Sequence, residues 1–232
     1  MKRNVLLAIF AASSLFAMAQ HEVGTWSIMP RLGYLWSGVT NDEDTKGKSA
    51  LVFGVDAEYT LNNRMGLQIG LQYSDQGFDV KYGSMAANNS YKNNYMSYMY
   101  GYGSGYYNNY ESYYSGYSGS QDACMSLKYI GVPVIAKFYI YPGVSINLGL
   151  QPAVNISSKL KYLGNSMNWN DIAGNGSKIN TFDFSIPVGM SYEASNLVLD
   201  FRYNIGVSKV ISISEGKNWA AQISLGYKFD ME

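Results

Sequence analysis

From Thr25 to Phe229 the chain alternates apolar and polar residues over most of its length. A period of two is the signature of strands whose faces meet two different environments. Leu51, Phe53, Val55, Ala57 and Tyr59 share one face, and Val52, Gly54, Asp56, Glu58 and Thr60 share the other. Met65, Leu67, Ile69, Leu71 and Tyr73 then alternate with Gly66, Gln68, Gly70, Gln72 and Ser74, and the intervening Leu61-Asn62-Asn63-Arg64 reads as the tight turn of a hairpin. The pattern recurs over Leu127 to Ile140, Val144 to Ile156, Phe182 to Glu193, Leu197 to Ser208 and Trp219 to Phe229, and a first strand covers Thr25 to Trp36. This predicts about eight strands of roughly 10–13 residues, against the ~5–6 of ordinary strands and the ~9–11 that a tilted strand needs to cross a bilayer.

The connections alternate in length. Short turns fall at 61–64, 141–143 and 194–196, and longer connections at 37–48, 75–125, 157–179 and 208–217. Short periplasmic turns and long external loops are the layout of an outer-membrane barrel. The expected fold is therefore all-β, a transmembrane antiparallel up-and-down β-barrel of about eight strands in the outer membrane of a Gram-negative bacterium. A soluble eight-stranded barrel would alternate too. The polar face here, however, is mostly Gly, Ser, Gln, Asn and Ala rather than Lys, Glu and Arg, which suits a crowded lumen. Trp26, Trp36, Tyr59, Tyr73, Phe182, Tyr192, Trp219 and Tyr227 gather at the ends of the apolar face, as in the two interfacial girdles of a membrane protein.

The first residues read differently. Lys2 and Arg3 precede an apolar stretch from Val5 to Phe16, and Ala17-Met18-Ala19 fits a cleavage site. Residues 1–19 are thus expected to be a cleaved signal peptide and 20–232 the barrel. No later stretch is apolar for the ~18 residues of a membrane helix. Cleavage removes two of the 17 basic residues and none of the 17 acidic ones, so the mature chain is slightly acidic and unsuited to nucleic acid. Charged residues are only 15% of the chain while 22 are Tyr. That balance fits a surface partly covered by outer-membrane lipid better than a soluble domain, where ~25% is charged.

Several segments also resemble a known family. Tyr129-Ile130-Gly131-Val132-Pro133-Val134-Ile135-Ala136-Lys137-Phe138, Leu148-Gly149-Leu150-Gln151-Pro152, Arg202-Tyr203-Asn204-Ile205-Gly206-Val207 and Leu225-Gly226-Tyr227-Lys228-Phe229 occur in the order and spacing of the PorT-type outer-membrane β-barrel family. The resemblance covers the mature chain except about 82–122, which reads as an insertion. It implies a small barrel in the outer membrane, one branch of that family being tied to protein secretion, and so points to envelope or secretion proteins as partners. Such barrels often end on an aromatic residue; here Phe229 is followed by Asp230-Met231-Glu232.

Charges of both signs are expected on the lumenal face. Arg31, Lys128, Lys137, Arg202 and Lys228 stand to meet Asp56, Glu58, Asp183, Glu193 and Asp200. They form either an internal network that plugs a narrow barrel, since buried charges must be paired, or the selectivity lining of a small porin-like channel. Eight strands leave room for side chains only, which favours the plug.

Catalytic chemistry has little to stand on. The only histidine, His21, lies outside every strand, so a serine hydrolase would lack its usual base. Asp56 and Glu58 share a face through the period alone. The acidic run Asn41-Asp42-Glu43-Asp44 lacks the glycine of a calcium loop and reads as a solvated turn. No enzyme activity, cofactor or metal is expected. Cys124 is the single cysteine and reads as incidental at a loop base. The stretch 82–122 is low complexity, rich in Tyr, Gly, Asn and Ser. That palette makes adaptable contact surfaces, so Tyr95, Tyr98, Tyr100, Tyr102, Tyr106, Tyr107 and Tyr110 are the candidates for contact with a glycan, a protein or another cell, as in a surface adhesin.

Overall fold

The computed structural model describes residues 23–40, 45–80, 123–162, 165–172, 178–211 and 215–231. The proposed signal peptide, the Asn41–Asp44 turn and the Tyr-rich stretch with its seven candidate tyrosines lie outside these residues. Eleven strands are described: β1 (Trp26–Val39), β2 (Thr45–Asn62), β3 (Met65–Val80), β4 (Ala123–Gly131), β5 (Val134–Tyr141), β6 (Val144–Tyr162), β7 (Asn165–Asn168), β8 (Phe182–Ala194), β9 (Leu197–Lys209), β10 (Lys217–Tyr227) and β11 (Phe229–Met231). A single helical turn, α1 (Trp169–Ile172), follows β7.

All the strand pairs are antiparallel, and β1 pairs with β10 through Arg31↔Gly226 to Val39↔Asn218, which closes the sheet into a barrel. The wall has eight members. β4 and β5 are two halves of one strand: β3 pairs with β4 in its second half and with β5 in its first. The expected continuous strand over Leu127 to Ile140 is interrupted at Val132-Pro133 because proline has no N–H to give the ladder. The wall stays tied there, with Gly70 N–H donating to Pro133 O at 2.9 Å and Val132 N–H to Pro152 O at 2.9 Å. β11 continues β10 past Lys228 and pairs with the start of β1. The turn into β6 relies on Gly143, whose φ of 76° an L-residue adopts only with strain.

An apolar belt surrounds the barrel. Trp26, Ile28, Leu32, Tyr34 and Trp36 of β1 are exposed, as are Leu51, Phe53 and Val55 of β2 and Leu67, Ile69 and Leu71 of β3. The belt runs about 11 residues along each strand; at a rise of ~3.3 Å and a tilt of ~40° it stands roughly 25 Å tall, the thickness of the lipid-facing band of such barrels. Aromatic pairs mark both rims. Trp26 and Tyr59 (centroids 5.0 Å apart) and Tyr227 and Phe229 (4.7 Å) lie at the end with the short turns, and Trp36 and Trp219 (5.1 Å) and Phe53 and Tyr73 (4.8 Å) lie at the other.

The strands do not stop at the outer rim. β2 has 18 residues, β3 16 and β6 19, well beyond the ~9–11 that span a bilayer. Much of the expected loop at 37–48 and 157–179 is ladder instead, as in Ser37↔Lys48, Lys46↔Asp79 and Lys159↔Asn168. The extension has its own buried apolar core of Met125, Leu127, Tyr129, Ala153, Leu160, Trp169, Ile179 and Val210, with Val39, Phe78 and Ile211 packed against it. Inside the wall this core caps the outer mouth.

The belt makes a depth-dependent prediction. Ile69→Lys, at mid-belt, is expected to destabilise the folded barrel by about 2–4 kcal/mol, and Leu61→Lys, at the periplasmic rim, by about 0–1 kcal/mol. Equilibrium folding into lipid bilayers measures both, and equal costs would refute the placement of the belt.

Candidate functional site

Strand parity builds the interior. In β2, Asp56 and Glu58 point inward while Val55, Ala57 and Tyr59 point to lipid; the same alternation sends in Arg31 of β1, Lys137 of β5, Asp183 and Glu193 of β8, Asp200 and Arg202 of β9, and Lys228 between β10 and β11. These nine expected lumenal charges are all buried.

Four of them form one layer near the short turns. Around the eight-membered wall, Glu58, Lys137, Glu193 and Lys228 occupy the second, fourth, sixth and eighth positions, so like charges stand opposite each other and every neighbour is of opposite sign. Lys137 Nζ lies 2.9 Å from Glu58 Oε2 and also bonds Glu193 Oε1. Lys228 Nζ lies 3.2 Å from Glu58 Oε2 and 3.0 Å from Glu193 Oε2. All four sides of this square are therefore ion pairs. The Tyr139 hydroxyl stands 2.7 Å from Glu58 Oε1 and 2.9 Å from Glu193 Oε1, able to donate its one proton to either.

A second tier lies further out. Arg31 Nε meets Asp56 Oδ2 at 2.6 Å, and Arg202 Nη2 meets Asp200 Oδ1 at 3.2 Å. Amides extend the tier across the lumen: Arg31 donates to Gln72 Oε1 (2.6 Å), Gln72 donates to Gln222 Oε1 (3.3 Å), and Asn147 donates to Asp200 Oδ2 (3.2 Å). Gly70 of β3 makes room for it, because a Cβ there would overlap the Asp56 carboxylate.

The third tier is Asp183, which accepts from Ser208 (2.8 Å) and Asn218 (3.4 Å), while Asn218 also donates to the Tyr129 hydroxyl (3.2 Å). Beside it Gln76, Asp183, Ser185, Asn204 and Asn218 line a cavity of about 10 Å³, room for about one water. Above lie Leu35, Val52 and Ala220 and then the apolar cap. The arrangement closes the lumen by polar contact below and apolar contact above.

Lys128 is a correction to the sequence reading. Its β4 neighbours Leu127 and Tyr129 are the buried ones, and Lys128 is half-buried on the opposite parity, outside the lumen. Beyond the belt the interior holds an apolar core and the exterior is water, so polar no longer means lumenal. Tyr139 is the residue that sequence reasoning missed; it shares the parity of Lys137, and that parity is the signal that finds it. Among the described residues no group of three or more His, Cys, Asp and Glu could hold a metal ion. Cys124 is half-buried in the outer extension, and burial, with Asp79 adding to it, pushes its thiol up to about 11.

The chain belongs to the outer membrane protein beta-barrel domain family, whose model matches residues 18–212. It is thus an integral outer-membrane barrel. No curated protein matches it in sequence. Among solved structures it is similar to Ail, the attachment invasion locus protein of Yersinia pestis (18% identity, 90% of this chain and 100% of that one covered, TM-score 0.45). It is also similar to Neisserial surface protein A (14%, 88% and 97%, TM-score 0.47) and to OprG of Pseudomonas aeruginosa (13%, 91% and 99%, TM-score 0.42).

Two predictions follow from this geometry. Lys137→Met leaves two buried carboxylates with one cation between them and is expected to cost about 3–5 kcal/mol in equilibrium unfolding. Lys128→Met, outside the lumen, should change stability by less than about 0.5 kcal/mol; similar values for both would sink the lumenal square. For Cys124 the raised value means that the thiol, not the thiolate, dominates at every pH below about 11. Its alkylation rate in the folded barrel should keep rising about tenfold per unit from pH 8 to 10, where an ordinary cysteine near 8.5 levels off. A plateau by pH 9 would contradict the buried setting.

Proposed function

We propose that this protein is a non-enzymatic outer-membrane barrel with a structural or interaction role, closed to ions and small solutes and working through its outer surface. The observation that carries this reading is the four-sided ion-paired square of Glu58, Lys137, Glu193 and Lys228, reinforced by the apolar cap at the other end. A conducting channel needs a lined, wet path, whereas here ion-paired side chains from four alternate members of the wall meet across the lumen. Residues 1–19 serve as the export signal in this reading. The PorT-type resemblance favours a place among envelope or secretion proteins, and the Tyr-rich stretch 82–122 supplies an adaptable contact surface for a protein or a glycan.

Planar-bilayer recording of the purified full chain tests the closed lumen. No steady single-channel current is expected, and steady, reproducible currents would establish the small channel instead. In the same preparation, removal of 84–120 is expected to preserve the barrel and abolish binding to the envelope surface; binding that survives the deletion would remove the contact role of that stretch.

A further inference from the structure

The outer face of the wall just beyond the belt is not uniform. On β4 and β6 it carries three outward lysines. Lys128 lies two residues from Ile130, the last belt residue of β4, and Lys159 and Lys161 lie three and five residues past Ile156, the last of β6. The register brings them to one patch: Ser126 faces Lys159, Cys124 faces Lys161, Lys128 faces Ser157, and the free side of β6 sets Asn168 beside Lys159 and Ser166 beside Lys161. Lys159 and Lys161 are exposed and Lys128 is half-buried.

Among the described residues, the acidic side chains on the neighbouring strand are Asp75, across from Lys128 on β3, and Asp79, across from Cys124, and Asp171 stands in the helical turn after β7. Asp75 is engaged by Lys48 Nζ at 2.6 Å and by the Ser126 hydroxyl at 2.7 Å. None of the ion pairs of the described residues uses Lys128, Lys159 or Lys161. On the far wall the outward Lys209 is paired with Glu215. One side of the barrel therefore holds three ammonium groups, flanked by hydroxyls and an amide, at the height where a lipid headgroup begins.

We propose that Lys128, Lys159 and Lys161 form a ledge that binds the phosphate groups of an anionic glycolipid in the outer leaflet. The belt fixes the height, because acyl chains packed on Ile130, Val154 and Ile156 must end in headgroups beside these lysines. Lysine stems lie along apolar surface and lift their charge to that level. The remaining donors match phosphate oxygens, which accept several hydrogen bonds each. The ledge rests on the membrane placement of the belt and not on the closed lumen, so an open channel would leave it standing.

The test uses the full barrel in nanodiscs of zwitterionic phospholipid, titrated with bisphosphorylated lipid A. Each lysine beside an anionic lipid surface is worth roughly fivefold in affinity. The variant Lys128→Gln/Lys159→Gln/Lys161→Gln is expected to bind about a hundredfold more weakly, with heat-modifiable gel migration confirming its fold. Wild-type binding should fall with salt, and fall severalfold or more with dephosphorylated lipid A. Phosphatidylglycerol, with one phosphate, should bind more weakly than lipid A. The control Lys209→Gln/Lys217→Gln, on the opposite wall, should change affinity less than threefold. Equal losses in the two variants would mean diffuse charge attraction and overturn the ledge, as would unchanged binding in the triple variant or equal binding of dephosphorylated lipid A.

Discussion

Two carboxylates that face each other across a narrow barrel, within a wall that lipid surrounds, cannot both stay ionised unless cations stand between them. Glu58 and Glu193 are in that position, and Lys137 and Lys228 are the cations, each touching both acids. At an effective dielectric near 20 a contact pair gains roughly 4 kcal/mol, and removing one member of a buried pair costs about 3–5 kcal/mol. Four contacts in a closed square tie four alternate strands to one another across the lumen, a tie that the hydrogen bonds between adjacent strands cannot supply. The wall is a ring of neighbour-to-neighbour contacts; the square makes it a solid body.

Much of the remaining interior follows from making that square fit. Gly66 lies beside the Glu58 carboxylate and Gly70 faces Asp56 from the neighbouring strand, each leaving out a Cβ that would crowd a carboxylate. The glutamines Gln72 and Gln222 then bridge the gap that charged groups leave. A narrow lumen filled by long polar side chains needs small residues on the adjacent strands, which is why the polar face of the sequence is rich in glycine and serine and poor in bulk.

The belt and the inward set of charges were both legible in the sequence because each depends only on period two. Ile69 and Leu71 had to share a face, and Asp56 and Glu58 had to share the other, whatever the fold. Parity also put Arg31, Lys137, Asp183, Glu193, Asp200, Arg202 and Lys228 inside. What it could not supply was the partner of each charge, since that depends on strand order and stagger around a closed wall: Lys137 meets Glu193, 56 residues away, only because β5, β6 and β8 are neighbours. The break at Pro133 was visible as a proline yet hidden as an interruption, because Val132 and Val134 kept the alternation going through it.

Lys128 shows where the period misleads, and the reason is physical. Inside the belt the outer solvent is hydrocarbon, so apolar side chains point out and polar ones point in. Beyond the rim the outer solvent is water, and the interior must be filled by something that does not need water. Met125, Leu127 and Tyr129 turn inward there, and Lys128 turns outward. On β4 the alternation runs unbroken through Ile130 while the meaning of each face reverses; on β6 a bulge opposite Lys128 and Tyr129 shifts it, so that Ile156 and Lys159 both point outward. The same reversal hid the outer cap, because Leu160 and Phe78 read as members of loops when they are the inward face of strands that continue. A sequence reading that assumes one pair of solvents for the whole strand misplaces side chains past that rim, as it does Lys128, and the error itself locates the rim.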